Sequence, residues 1–255
     1  MLEAKGLTKR YASVPAVQNV DFCLLAGQVL GCLGPNGSGK STTVKMLTGL
    51  LDPTAGKVFL HGRDIRDDLV GYRKRLGYVP EEPNLYSHLS GYEYLELVGT
   101  LRGIPKSHLI GKIEALLDLF KLFSHRHASL ASYSKGMRQR ILLISALMDN
   151  PDVLILDEPL SGLDATSALV IKNLIKELGQ QKKAIFYCSH VLEVVEKVCS
   201  HLLILRQGNV IAYGRSEDIQ REIGQSSLEH TFMHLTAEAD VEDTARQIAA
   251  VVSSK

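Results

Sequence analysis

The sequence has almost no net charge, few cysteines and no repeats or low-complexity tracts. Its 29 basic and 28 acidic side chains leave a formal net charge of +1. That balance gives no sign of the basic surface that nucleic-acid binding normally requires, so we expect no nucleic-acid partner. The four cysteines are Cys23, Cys32, Cys188 and Cys199. Because they form no Cys-x-x-Cys pair, we expect reduced thiols of a cytosolic protein and exclude a disulfide framework or a zinc site.

Long hydrophobic runs are also missing. The most apolar segment, "ILLISALM" at 141–148, is too short to cross a bilayer. The first residues, "MLEAKGLTKRY", lack the apolar stretch of a secretory signal. We therefore expect that any work on a membrane is done through a partner protein. The 255 residues, 45% of them hydrophobic, suffice for one large soluble domain or a domain with an inserted lobe.

Apolar runs of strand length alternate with helix-like stretches, which predicts a mainly parallel α/β core. Three runs indicate buried strands: "QVLGCLG", "DVLILDEP" and "KAIFYCSH". The segment "STTVKMLTGL" predicts a helix that ends near Gly49. A second helix is predicted from the cap Asp164 to a stop at Gly179, because apolar residues recur there at helical spacing. "HLLILRQGNVIAYG" predicts a hairpin that turns at Gly208-Asn209.

The chain is expected to divide into a core and a short tail. Residues from about 83 to 150 are helix-rich and predict a helical lobe inserted between the halves of the α/β core. From about residue 226 the pattern predicts two short amphipathic helices. One face of the second helix would carry Val241, Ala245, Ile248 and Val252. We therefore assign residues 1–226 to the core with its lobe and 227–255 to a helical tail.

The segment "GPNGSGKST" fits the Walker A pattern G-x-x-x-x-G-K-[ST] between a predicted strand and a predicted helix. In such loops backbone amides and a helix N-terminus surround phosphate oxygens. Lys40 would reach the β- and γ-phosphates, and Ser41 would ligate Mg²⁺. A glycine-rich turn without a ligand is the alternative, and lysine and serine at these offsets disfavour it. The predicted ATP-binding residues of the loop are Gly34, Pro35, Asn36, Gly37, Ser38, Gly39, Lys40, Ser41 and Thr42.

Acidic residues end the strand "VLILDE". Asp157 at the end of a buried strand suits a hydrated Mg²⁺, and Glu158 beside it would polarise an attacking water. A solvated pair at a strand end is the better interpretation for these two residues alone, but the phosphate loop favours a metal and catalytic site. His190 ends the strand "KAIFYCSH", where its side chain could reach the same γ-phosphate.

The segment "YSKGMRQR" raises a question of its own. Ser134 is a good N-cap for the helix that follows. Gly136 is a poor helix former at a position where most residues would serve better. A cap alone therefore leaves the glycine unexplained.

Taken together, these motifs and their order resemble the ATP-binding cassette (ABC) ATPases over roughly residues 1–226. The family's LSGGQ signature matches "YSKGM", in which Ser134 and Gly136 are retained while Lys135 and Met137 depart from it. "SGLD" matches the D-loop with Asp164. His190 matches the family's switch histidine.

The resemblance also implies a fold and further site residues. The expected fold is a P-loop NTPase core of the RecA type, with a mainly parallel sheet, an N-terminal antiparallel β region and an inserted helical lobe. Tyr11 lies where the family stacks an aromatic ring on adenine, although a surface tyrosine is an alternative. The family's Q-loop falls in "GYVPEEP", where Glu81 replaces glutamine and is expected to act as a metal ligand.

In this family two cassettes pair head to tail, so that the signature helix of one faces the ATP of the other. Gly136 would then bring a bare amide to the partner's γ-phosphate, and Ser134 a hydroxyl. The resemblance implies ATP and Mg²⁺ as cofactors. It implies a second cassette and an integral membrane permease as partners. The expected location is cytoplasmic, on the inner face of the cell membrane through that permease, and the motifs look most like those of ABC-2-type exporters.

Two alternatives remain within the family. Soluble cassette ATPases of translation or DNA repair carry two cassettes per chain or long insertions, which this sequence lacks. A non-hydrolysing, nucleotide-gated scaffold conflicts with intact Lys40 and Glu158, although Glu81 leaves it open. A GTPase would need an N-K-x-D motif, and the sequence has none.

Overall fold

The computed structural model describes residues 1–224, 227–236, 246 and 248–252. Its strands are β1 Leu2–Tyr11, β2 Val14–Leu24, β3 Val29–Leu33, β4 Ala55–Leu60, β5 Arg63–Asp64, β6 Leu76–Val79, β7 Val153–Asp157, β8 Ala184–Cys188, β9 His201–Arg206 and β10 Asn209–Arg215. Its helices are α1 Lys40–Leu47, α2 Leu69–Lys74, α3 Gly91–Leu101, α4 Lys106–Leu119, α5 Lys135–Leu147, α6 Ala165–Gln180, α7 Leu192–Val198, α8 Ser216–Ile223 and α9 Leu228–Thr236.

These strands form two sheets. The smaller is antiparallel, in the order β2-β1-β4-β5, and the larger has the order β10-β9-β3-β8-β7-β6. In the larger sheet only β10 pairs antiparallel to its neighbour; the other pairings are parallel. Strands β3, β7 and β8 are buried along their whole length, as expected for parallel strands that are covered on both faces. The predicted mainly parallel core and antiparallel N-terminal region are confirmed.

Two hydrophobic layers cover the larger sheet. On one face the smaller sheet and α1 pack on it, with Phe22 of β2 and Phe186 of β8 stacked at 5.5 Å between ring centroids. On the other face lie α5, α6 and α7, with Leu142, Ile171 and Val195 among the buried contacts. None of the helices in the described residues has the length and apolar character that crossing a membrane requires.

The helices α3, α4 and α5 enclose a separate apolar core. Leu95 and Ile113 are fully buried in it. The helix α5 belongs to both regions, because Ile141 and Ile144 face this core while Leu142 and Leu143 pack toward the larger sheet. These helices fall within the residues predicted to form the lobe, and the division into core and tail stays a prediction.

Local boundaries differ from the sequence predictions in two places. Helix α6 continues through Gly179 to Gln180, because the left-handed residue after the helix is Lys182, with a φ of 64°, and Gly179 keeps a helical backbone. The hairpin of β9 and β10 turns at Gln207 and Gly208, whose φ angles of 48° and 80° suit a tight two-residue turn. Asn209 is therefore the first residue of β10.

The described residues include part of the predicted tail. Helix α9 spans Leu228–Thr236, and its Leu228 is fully buried. Of the predicted apolar face of the second helix, Ile248 and Val252 are helical and exposed. Val241 and Ala245 lie outside the described residues.

A capping box starts the helical lobe. The Ser90 hydroxyl accepts the Glu93 amide at 3.2 Å, and the Glu93 carboxylate accepts the Ser90 amide at 2.8 Å. These hydrogen bonds from Ser90 hold the pKa of Glu93 below its usual range. The box satisfies two amides that the first turn of α3 would otherwise leave unpaired.

Replacing the cap should weaken the fold measurably. Ser90→Ala should lower the free energy of unfolding by about 1 kcal/mol, because an N-cap serine typically contributes that much. Ser107→Ala, at an exposed position inside α4, should change it by less than about 0.5 kcal/mol and serves as the control. Chemical denaturation followed by circular dichroism measures both. Equal losses would mean that the cap contributes nothing specific.

Candidate functional site

The carboxyl ends of β3, β6, β7 and β8 meet at one edge of the larger sheet. Residues that follow these ends line a cavity of about 630 Å³. The lining residues are Ala16, Asn36, Gly37, Ser38, Gly39, Lys40, Ser41, Thr42, Glu81, Asp157, Glu158 and His190. In open α/β sheets this edge is where ligands bind. The fold thus gathers residues from distant parts of the chain into one polar site.

The loop between β3 and α1 is held in a shape that requires glycine. Gly39 is the residue before α1 and has a φ of 104°. A β-carbon on Gly39 would lie 2.6 Å from the carbonyl oxygen of Ala16, so no other residue fits there. The carbonyl of Ser38 accepts the amide of Gly208 at 3.1 Å, which fastens the loop to the hairpin of β9 and β10.

This loop places the Lys40 ammonium at the N-terminus of α1. The Lys40 ammonium donates to the carbonyl oxygens of Gly34 at 2.6 Å and Pro35 at 3.0 Å, so it lies across its own loop. Ser41 and Thr42 follow it in the first turn of α1 and line the cavity. The Ser38 hydroxyl is buried and has no hydrogen-bond partner among the described residues. Amides, a helix N-terminus and a lysine together suit an anion such as phosphate.

Asp157 is a buried carboxylate at the end of β7, with 8% of its surface exposed. Burial, together with the negative charges of Glu81 and Glu158, raises the pKa of Asp157 to about 6. The ammonium groups of Lys40 and Lys45 oppose this rise. A cation bound at Asp157 would therefore stabilise the ionised carboxylate.

The oxygen ligands in the cavity fit Mg²⁺ without forming a complete cage. Asp157, Glu81 and the Ser41 hydroxyl all line it. Within the described residues no group of three or more His, Cys, Asp or Glu side chains could hold a metal ion by itself. Mg²⁺ usually takes one or two carboxylates from the protein and completes its shell with water and phosphate oxygens. The residues present therefore fit a magnesium ion that is shared with a phosphate ligand.

The Glu158 carboxylate is fixed by three hydrogen bonds from the segment that follows β8. Its Oε1 accepts the His190 amide at 2.8 Å and lies 2.7 Å from His190 Nδ1, a contact that requires the proton on Nδ1. Its Oε2 accepts the Ser189 hydroxyl at 3.0 Å. The backbone of Glu158 is also held, since its amide donates to the carbonyl of Cys188 and its φ is 47°.

The structure refines the prediction for His190 and adds a residue to the site. The His190 ring lines the cavity, but its direct contact is with Glu158. Ser189 was missed by the sequence analysis, although it stands in the quoted segment "CSH". A small hydroxyl residue directly before a histidine at a strand end was the available signal.

Four further predicted site residues lie outside this cavity lining: Tyr11, Gly34, Pro35 and Asp164. Gly34 and Pro35 belong to the same loop, and their carbonyls accept the Lys40 ammonium. Tyr11 ends β1 with half of its surface exposed, and Lys9 Nζ lies 5.7 Å from its ring centroid. Asp164 is the N-cap of α6 and accepts the Ser167 amide at 2.9 Å and the Ser167 hydroxyl at 2.6 Å. These hydrogen bonds lower the pKa of Asp164.

The segment Ser134 to Met137 also lies apart from the cavity lining. The Ser134 hydroxyl accepts the Met137 amide at 3.2 Å and caps α5, as predicted. A β-carbon on Gly136 would lie 2.5 Å from the carbonyl oxygen of Gly162. A β-carbon on Gly162 would lie 3.0 Å from Cγ of Lys135, so the Lys135 side chain also packs closely against Gly162. The glycine thus has a packing reason within its own chain, in addition to the reason predicted from the resemblance.

Comparison with known proteins identifies the fold and family. Residues 17–161 match the family described as ABC transporter. The ABC-type transporter ATP-binding protein EcsA of Bacillus subtilis (strain 168) is 34% identical, over 93% of this chain and 97% of its own length. The Nod factor export ATP-binding protein I of Cupriavidus metallidurans is 36% identical, over 88% of this chain and 74% of its own.

Solved structures of similar fold belong to the same family. The ATP-binding subunit of an ABC transporter superposes with a TM-score of 0.87 at 31% identity, covering 92% of this chain and 99% of that one. A dimeric post-hydrolysis state of an ATP-binding cassette, bound to ADP and Pi, superposes with a TM-score of 0.78 at 25% identity over 84% of this chain and 98% of that one. The fold is thus that of the P-loop NTPase cassettes. This chain belongs to the ABC transporter family, in which it is an ATP-binding subunit with ATPase activity.

Proposed function

We propose that the cavity at the edge of the larger sheet binds and hydrolyses Mg²⁺-ATP, and that the hydrolysis drives a separate membrane permease. The observation that carries this proposal is that one cavity unites the glycine-rich loop, the buried Asp157 and the anchored Glu158. The loop residues Gly34 to Thr42 bind the phosphates. Asp157, Glu81 and the Ser41 hydroxyl hold Mg²⁺.

Phosphate binding uses groups that are already oriented. Lys40 exchanges its hydrogen bonds to the Gly34 and Pro35 carbonyls for phosphate oxygens. The loop amides and the N-terminus of α1 supply further donors. Mg²⁺, when bound, supplies positive charge that offsets the charge on the phosphate oxygens. Tyr11, with its exposed ring at the end of β1, stacks on the adenine.

Glu158 acts as the general base for the attacking water. Its two oxygens offer about four lone-pair sites. Three are taken by His190 and Ser189, and two of those bonds fall on Oε1. Oε2 therefore keeps one free site for a water, in a carboxylate whose direction is fixed. His190 and Ser189 orient the base.

The active unit is a head-to-tail dimer. ATP bound in the loop of one chain faces the signature segment Ser134 to Met137 of the other. Ser134 offers its hydroxyl, and Lys135 and Gly136 offer their amides. The Met137 amide stays with the Ser134 hydroxyl and caps the helix. Asp164 lies in the same interface. Ser134 and Lys135 are exposed and outside the cavity of their own chain, which supports this arrangement. ATP binds the closed dimer more tightly than the open one and so biases the equilibrium between them.

The permease partner is an integral membrane protein, and the process is export. This proposal rests on the relatives, one of which is named for Nod factor export. The chain then acts in the cytoplasm, on the inner face of the membrane. The relatives quoted above are transporter subunits, which favours this function over a soluble cassette of translation or DNA repair.

Glu158→Gln should lower the rate of Mg²⁺-dependent ATP hydrolysis by about a hundredfold to ten-thousandfold, because a positioned base contributes that much. ATP binding should persist, since the amide fills the same space. Glu114→Gln, at an exposed position on α4, is the control and should keep the parent rate. Phosphate release by the purified proteins measures the rate. Parent activity in the Glu158 variant would exclude it as the base.

Glu81→Gln should change how hydrolysis depends on Mg²⁺. Removal of one negative charge beside Asp157 lowers the pKa of Asp157 and weakens the attraction for the metal. We expect retained activity with a shifted Mg²⁺ concentration for half-maximal rate, measured by metal titration at saturating ATP. Glu82→Gln, one residue further and outside the cavity lining, should leave the titration unchanged. Coincident curves for Glu81→Gln and the parent would remove Glu81 from the metal site.

The shared site should be detectable by disulfide crosslinking. Asn36→Cys and Lys135→Cys are placed at exposed positions of the loop and of the signature segment. The background carries Glu158→Gln and Cys23→Ser, because the other native cysteines are buried.

ATP should raise the yield of covalent dimers on non-reducing gels. A pair of Asn36→Cys with Ser107→Cys on α4 should give none. Crosslinks within single chains would contradict the head-to-tail arrangement. A yield of covalent dimers that is the same with and without ATP would also contradict it.

A further inference from the structure

Gln139 is a fully buried polar residue in the second turn of α5. Its Nε2 donates to the carbonyl oxygen of Pro159 at 3.3 Å. Its Oε1 is buried and has no hydrogen-bond partner among the described residues. Because a buried acceptor without a partner destabilises the folded state, packing alone would favour an apolar side chain at this position.

The partner of Gln139 is next to the proposed base. Pro159 directly follows Glu158, and three residues later Gly162 contacts Gly136 at the start of α5. The segment after β7 is therefore tied to α5 at two points: a side-chain hydrogen bond and a backbone contact that only glycine permits. Of these two ties, only the Gln139 amide reaches the residue adjacent to Glu158.

The hydrogen bond from Gln139 to Pro159 joins two segments that act at different ATP sites. In the head-to-tail dimer, Glu158 acts on the ATP in its own chain, while the start of α5 faces the ATP in the partner. A hydrogen bond between α5 and the residue after Glu158 therefore spans from one ATP site to the other. Side chains whose acceptors stay unpaired in a native structure call for such an explanation.

We propose that Gln139 is a positioning residue: through Pro159 it sets the place of the Glu158 carboxylate relative to its own signature helix. It links the base of one ATP site to the helix that contacts the other. This inference rests on the proposed role of Glu158. It also accounts for the retention of a half-satisfied amide in a core where an apolar residue of similar length would fit.

The test uses Gln139→Met, which keeps the length of the side chain and removes its hydrogen-bonding groups. Displacement of a reacting group by about 1 Å can lower a rate about a hundredfold, so a smaller shift of the Glu158 carboxylate should lower kcat about tenfold. The melting temperature should change little, because the unpaired Oε1 is removed while the buried Pro159 carbonyl loses its donor. Gln139→Asn keeps the amide but ends one methylene short of Pro159, and should also lose rate.

Two comparisons separate positioning from a general structural effect. Ser145→Ala removes another buried hydrogen bond of α5, from the Ser145 hydroxyl to the Leu142 carbonyl at 2.8 Å, and should keep the parent kcat. Gln139→Met is also made together with Glu158→Gln, and single-turnover rates are measured. If Gln139 acts through Glu158, the double variant should be no slower than Glu158→Gln alone.

Each other outcome overturns the inference. Losses that multiply in the double variant would mean that Gln139 acts independently of Glu158. An equal loss in Ser145→Ala would mean a general disturbance of α5, and parent kcat in both Gln139 variants would mean no role. If instead Glu158→Gln alone keeps the parent rate, the proposed role of Glu158 itself fails. The two failures are distinguishable, because the role of Glu158 is tested by its own single variant and the role of Gln139 by the Gln139 variants.

Discussion

The site depends on the burial of the parallel strands on both faces. Strands β3, β7 and β8 have no exposed face on which a polar side chain could point to solvent. Polar residues can therefore appear only where these strands end, and parallel strands end at the same edge. Lys40, Asp157 and His190 meet for this reason, although they are far apart in sequence. The order of strands in the sheet fixes which of them become neighbours.

That constraint also sets the electrostatics of the cavity. Asp157 is buried because it belongs to β7, and its high pKa follows from that burial and from the neighbouring carboxylates. Lys40 provides the compensating charge from the start of α1, at the end of β3, which β8 separates from β7 in the sheet. The resulting site has three carboxylates that favour a cation, Glu81, Asp157 and Glu158, and a loop that favours an anion. Such a pair of preferences suits a magnesium-bound phosphate better than either ion alone.

Local patterns were enough to predict the loop from Gly34 to Thr42, the acidic residues at the end of β7 and the cap at Ser134. Each depends on residues that are close in sequence, and the cap is confirmed. The contacts of Ser189 and Gln139 depend on segments brought together only by the folded chain, so sequence patterns could not give them. The hairpin turn shifted by one residue because Gln207, rather than Asn209, adopts a left-handed backbone. The packing of Gly136 against Gly162 could not be predicted from the sequence either, because these two segments also meet only in the folded chain.

The backbone at Glu158 carries a consequence for the evolution of this position. A φ of 47° is uncommon outside glycine and costs about 1 kcal/mol or more for a residue with a β-carbon. Selection for folding stability alone would therefore favour glycine or asparagine there. A glutamate at this position therefore carries a conformational cost, which its proposed role as the base would explain. With Glu158 as the proposed base, its replacement by glycine or asparagine should give a more stable protein that binds ATP without hydrolysing it. That replacement is a direct route from an ATPase to a nucleotide-binding scaffold.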